Sequence, residues 1–323
     1  MKLRPLGKTG INVSEIGFGG WGIGGQMWKG SDDKESMAAL RKAAELGVNF
    51  FDTALAYGDG HSEQLVGKLV RSGVGKIYVA TKVPPKNRQW PARPGVPFNE
   101  AFPKNYILES TEQSLKNLRM ECIDVLQFHV WSDEWAGADE IWEAVRLLKA
   151  GGKIRAFGIS VNDHQPSSVR NAAKTGMVDT FQVIYNIFDQ SPEDELFPYC
   201  MKNDIGVIVR VPFDEGGLTG RVRPETVFPN NDWRNDYFRG DRKQQVYDRV
   251  EKLKPLLGAE AKTLAELALR FVLSRPAVST VIPGMRSIPN VELNTAVSDG
   301  KNLSEKLMKE LKKHKWVRNF YGD

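Results

Sequence analysis

Asp52, Tyr57, Lys82 and His129 lie in three separate apolar runs, VNFFDTALAY, IYVATK and IDVLQFH, each at or just past a strand-like end. A lysine closing a buried run keeps its proton only if a counter-charge stands beside it. With Asp52 as that partner, positive charge beside Tyr57 would lower the pKa of the phenol and suit it to protonate a carbonyl oxygen. Taken singly, each residue also has an ordinary role: Asp52 as a turn or helix cap, Tyr57 as a packed aromatic, His129 as a core histidine. Taken together they require an architecture that brings three strand ends to one face. They also require a hydride donor, which no amino acid is.

The order of elements meets the first requirement. Eight β-rich runs, VSEIGFG, VNFFDTA, KIYVATKV, IDVLQFH, IRAFGIS, TFQVIYN, GVIVRVP and STVIPG, alternate with helical patterns such as DDKESMAALRKAAELG and ADEIWEAVRLLKAGG. Parallel neighbours need a crossover, and eight is the number that closes a barrel. The expected class is therefore α/β, a (β/α)8 TIM barrel in a single domain over 1–323. MKLRPLGKTGINVSE forms an N-terminal β-hairpin capping the barrel floor. Two irregular stretches, 83–104 and 221–241, follow strand ends and so belong to the active face, where they are expected to wall a pocket. Trp21, Trp90, Phe98, Trp131, Trp135 and Trp233 would make that wall aromatic.

Composition narrows the class further. The 323 residues are 41% hydrophobic and 26% charged, with a net charge of +5 spread over scattered lysines and arginines, a pattern that disfavours nucleic acid as a partner. No run approaches the roughly 20 apolar residues of a membrane span, and the first residues do not resemble a leader, so no membrane partner and a cytoplasmic location are expected. Cys122 and Cys200 have no metal-ligand spacing and read as buried, reduced thiols; no metal site is expected. Two motifs mislead. GFGGWG, 17–22, satisfies GxGxxG but does not open into a helix. YVATK, 78–82, satisfies YxxxK but lies on a strand, where Tyr78 would sit roughly 13 Å below Lys82 in the core.

From the hairpin to about Asn294 the chain resembles the aldo-keto reductases. The matching text is GFGGWGIGG, FFDTALAYGDGHSE, VATKV, FHVW, IRAFGIS, FQVIYN, GGLTGR and VIPGMRSIPNVELN. The resemblance implies reduction of an aldehyde or ketone, a small-molecule carbonyl substrate, with hydride from NADP(H). Tyr57 would be the general acid, Asp52 and Lys82 its tuning pair, and His129 the residue that orients the carbonyl. It also implies a cofactor cradle of Gly20, Trp21, Asp52, Ser160, Asn162, Gln182, Arg210, Pro212, Phe213, Gly217, Leu218, Arg221, Ile282, Gly284, Arg286, Asn290 and Asn294. In that cradle Arg221 pairs with the pyrophosphate and Arg286 meets an adenosine 2′-phosphate. Four positions depart from the family pattern. Val161 separates Ser160 from Asn162; Asp214 and Glu215 replace small residues; and Arg210 stands where an aromatic stacks on the nicotinamide. A guanidinium also stacks, and its charge would favour the uncharged, reduced ring. The resemblance extends to non-catalytic NADP(H)-binding subunits that sense redox state, which leaves that alternative open.

Overall fold

The computed structural model describes residues 1–317. A hairpin of β1 (Leu3–Pro5) and β2 (Asn12–Ser14) precedes eight parallel strands: β3 (Phe18–Gly19), β4 (Phe50–Asp52), β5 (Tyr78–Val83), β6 (Ile123–Phe128), β7 (Ile154–Ser160), β8 (Thr180–Ile184), β9 (Gly206–Arg210) and β10 (Thr280–Val281). Each pairs with the next in chain order. Parallel bridges Ile16 to Val281 and Gly19 to Gly284 join the first strand to the last and close the barrel. The expected run VSEIGFG therefore divides, its start serving the hairpin and its end the barrel.

The chain builds this from two burial patterns. Every residue of β5 and β6 is buried, as strands covered on both faces require. Some of the helices are capped by side chains: Asp32 accepts from the Glu35 amide at 2.9 Å, and Thr263 from the Glu266 amide at 3.1 Å. Two apolar clusters result. One fills the shell between barrel and helices. The other runs through the barrel interior, where Phe50, Tyr78, Ala80, Val125, Ala156 and Ile208 meet Leu6, Ile11 and Val13 of the hairpin. Tyr78 is thus a floor residue, 6% exposed, as the strand reading requires.

The hairpin is seated tightly against the barrel. Lys8 N donates to Asp204 O at 2.7 Å. A Cβ on Gly7, whose φ is +50°, would lie 2.3 Å from Gly206 N, so only glycine permits this approach to the start of β9. Cys200 is buried, which raises its thiol pKa to about 12, while Cys122 is only half-buried. No described helix is long and apolar enough to cross a membrane.

Candidate active site

Side chains alternate along a strand, so the step from Phe50 to Asp52 carries the inward direction of β4 up to the open end of the barrel. Lys82, fully buried in β5, reaches across: its Nζ donates to Asp52 Oδ1 at 2.5 Å and to Thr53 O at 2.8 Å, and stands 3.4 Å from Tyr57 Oη. Burial pushes the Lys82 ammonium below its usual range, and Asp52 is the largest influence opposing that. The other carboxylate oxygen, Asp52 Oδ2, accepts from Gln182 Nε2 at 2.7 Å and Gln127 Nε2 at 3.4 Å.

Tyr57 corrects one expectation. Its pKa is raised well above the ordinary phenol value, first by burial and then by Asp52; Arg210, not Lys82, is the cation acting downward on it. Of the pair, the Asp52 carboxylate and not the Lys82 ammonium is the member that acts on the phenol, and it acts upward. The phenol therefore holds its proton in the free site. His129 follows β6, its ring 5.5 Å from that of Tyr57 and 4.5 Å from that of Trp90. Burial, then Lys82 and Arg210, hold the imidazole well below its usual pKa, so it is neutral. Its Nδ1 is buried without a hydrogen-bond partner.

These groups open on a cleft of about 1260 Å³. That exceeds the ~300–1,000 Å³ of a pocket for one small molecule. The cleft extends from Trp90, Tyr57 and His129 past Pro212, Phe213 and Arg221 to Arg286, Asn290 and Asn294. Gly20, Trp21, Asp52, Ser160, Asn162, Gln182, Arg210, Ile282 and Gly284 also line it. Gly217 and Leu218 do not. The turn that bonds Leu218 N to Phe213 O folds Leu218 into the core, where it is 1% exposed. Gly217 packs against Asp214 and Val246. Asn162 reaches the wall with its amide engaged both ways, accepting from Trp131 N and donating to Ala92 O. Arg210 donates to Val161 O at 2.8 Å and Asp163 Oδ1 at 2.5 Å. Arg286 is half-buried and donates to Lys29 O at 2.8 Å.

Both irregular stretches contribute to the wall, but only part of the aromatic set does. Trp21, Trp90 and Trp233 face the cleft and Trp28 joins them. Trp131 and Trp135 instead stack with Phe128, Phe102 and Trp142 in the shell, where Phe98 also packs. Residues 27–29 and 232–234 are joined to each other, and Met27, Trp28, Trp233 and Arg234 line the cleft. Trp233 N donates to Met27 O, Lys29 N donates to Asp232 Oδ2, and Arg234 lies between the Trp28 and Phe228 rings. The sequence reading missed Gln127, Asp163, Trp28 and Arg234. For Gln127 the signal was present: with Val125 facing inward, a period of two places Gln127 inward as well.

Glu215 also lines the cleft, at a φ of +53°. Burial, then Asp214 and Asp163, raise its carboxyl to about 8 against the opposing charges of Arg210 and Arg234. The folded state thus binds a proton that the unfolded chain releases near 4.5, and stability from this group falls as pH rises through that window. Glu215→Gln should therefore resist urea better than wild type at pH ~9 and match it at pH ~4. Equal unfolding midpoints at both pH values would contradict this.

Comparison with known proteins places these features in context. The model of the Aldo/keto reductase family matches residues 15–315. The chain is 34% identical over 301 residues to aldo-keto reductase YhdN of Bacillus subtilis, covering 90% of this chain and 87% of that one. It is 31% identical over 310 residues to an NADH-specific methylglyoxal reductase of Escherichia coli, covering 92% and 93%. Among solved structures, the holo form of aldo-keto reductase AKR11C1 from Bacillus halodurans matches with a TM-score of 0.77 at 30% identity, over 98% of this chain and 96% of that one.

Proposed function

Because this chain belongs to the aldo/keto reductase family of NAD(P)-dependent oxidoreductases, we propose that it reduces an aldehyde or ketone to the alcohol, with NADPH as cofactor and Tyr57 as general acid. The observation that carries this reading is a protonated phenol on the cleft wall, 3.4 Å from a lysine that is itself locked to a carboxylate. Beside it stands a neutral imidazole with an orphaned nitrogen.

The residues fit a dinucleotide. The cleft is too long for a small carbonyl alone. Gln182 has its amide nitrogen engaged by Asp52 and Gln127, which leaves Oε1 to accept from a carboxamide. Arg221 lines the cleft and is solvent-exposed, and Arg286 and Asn290 line it as well. A bound nicotinamide would supply the hydride. His129 would hold the carbonyl oxygen by a hydrogen bond from its neutral ring and set the angle at which the carbon is reached. Tyr57 would release its proton to that oxygen as negative charge grows there, and Lys82 would support the resulting phenolate. The indoles of Trp21 and Trp233 would keep water from the reacting atoms, which would strengthen each of these interactions.

The test is a panel of aldehydes, ketones and sugars with NADPH and NADH, read as loss of reduced-nicotinamide absorbance. Turnover with any carbonyl supports the reading. Tight cofactor binding with no turnover across the panel would favour the non-catalytic alternative. Arg286 supports the preference for NADPH, since a guanidinium suits a phosphate. Arg286→Ala should weaken NADPH binding about tenfold and leave NADH nearly unchanged. Parallel losses for the two cofactors would reject that assignment.

A further inference from the structure

Gln127 is fully buried in β6 and lies off the cleft wall, yet it belongs to the same hydrogen-bond network as the general acid. Strands β4, β6 and β8 are alternate members of the barrel, and alternate strands send side chains into a common layer. Asp52, Gln127 and Gln182 meet in one such layer, two residues above Phe50, Val125 and Thr180. Gln127 Nε2 lies 3.4 Å from Asp52 Oδ2, Gln182 Nε2 lies 2.7 Å from the same oxygen, and Gln182 Nε2 lies 3.3 Å from Gln127 Oε1.

Donor and acceptor chemistry fixes the orientation of both amides. An ionised carboxylate only accepts, so each amide must turn its nitrogen toward Asp52. Gln127 Oε1 is then left for the second N–H of Gln182, and the triangle closes. The adjoining strand makes room for it. Gly158 is the ladder partner of Gln127, and a Cβ there would meet Thr180 Oγ1 at 2.2 Å and Gln127 Cγ at 3.1 Å.

We propose that Gln127 is a positioning residue for carbonyl reduction, fixing the Asp52 carboxylate that holds Lys82 beside Tyr57 and tying it to the Gln182 amide on the cleft wall. This rests on the reductase reading given above. Lys82 is the group through which the effect is felt. Around it stand Asp52 and Tyr57 from the β4 end, Glu63 from the helix His61–Val70, His129 from the β6 end and Arg210 from β9. Burial drives its proton off and Asp52 is the main force retaining it. A carboxylate held less firmly therefore lets Lys82 deprotonate at lower pH.

Two full-length variants test this. Gln127→Met keeps the volume and removes both amide contacts. It should bind NADPH within about twofold of wild type by tryptophan fluorescence, lower kcat about tenfold with little change in KM, and move the alkaline limb of the kcat profile roughly one unit toward lower pH. Gln127→Glu keeps the shape. While protonated, the introduced carboxyl can still donate to Asp52, so kcat should lie near wild type at low pH and collapse as that proton leaves. Wild-type profiles in both variants, in a chain that does turn over, would overturn the role of Gln127 alone. Tight NADPH binding without turnover in the wild-type chain would overturn the reductase reading itself.

Discussion

Tyr57→Phe should lower kcat/KM for aldehyde reduction by about 10³-fold while the NADPH dissociation constant stays within about twofold of wild type. The substitution removes one oxygen and keeps the ring, so packing against Trp21 at 6.4 Å and His129 at 5.5 Å survives. What is lost is the hydroxyl that, on the proposed reading, delivers the proton with Lys82 at its back. His129 is a poor replacement. Its imidazole is held well below its usual pKa, so near neutrality it has no labile proton to give. Steady-state turnover alone would not separate chemistry from binding, so a fluorescence titration of NADPH belongs beside it. Turnover within about threefold of wild type would remove Tyr57 from the mechanism.

The other large effect concerns Lys82. Removing one member of a buried ion pair costs about 3–5 kcal/mol, because the remaining charge keeps its desolvation penalty without its partner. Lys82 and Asp52 are 0% and 2% exposed in their side chains. Lys82→Met should therefore lower stability to urea by about that amount and abolish turnover as well. The double variant Asp52→Leu with Lys82→Met should recover much of the stability and none of the activity. That contrast separates the two roles, since the pair is costly to break yet not needed to hold the barrel together. An unfolding midpoint for Lys82→Met equal to wild type would show that the two amides on Asp52 suffice to keep it buried alone.

The barrel was legible because its strands are short, buried on both faces and evenly interrupted by amphipathic helices. Asp52, Lys82 and His129 were legible because a strand end is a fixed address in such a fold. The acidity of Tyr57 was not. Its direction is set first by how deeply the phenol is buried and then by the nearness of Asp52, neither of which is encoded by spacing in sequence. The same limit explains Trp131 and Trp135. They fall just past the end of β6, but the Phe128 ring and the loop carbonyl Val96 O, which accepts from Trp135 Nε1, draw them outward into the helical shell. Gly217 and Leu218 lie off the cleft wall for a related reason. A turn that includes positive φ at Asp214, Glu215 and Gly216 chooses which side of the loop meets the cleft.

The contacts joining residues 27–29 to residues 232–234 bear on the order of events. Met27, Trp28, Trp233 and Arg234 line the same cleft as Tyr57 and Arg286, so on the proposed reading a dinucleotide spanning it would lie against these contacts and would need them to part before leaving. Trp90 is 39% exposed on the same wall, and the small carbonyl of the proposed reaction would enter beside it. On that reading the alcohol would depart first and the dinucleotide last, with the reopening step setting the pace. Carbonyls of very different intrinsic reactivity would then share nearly one kcat and differ only in KM.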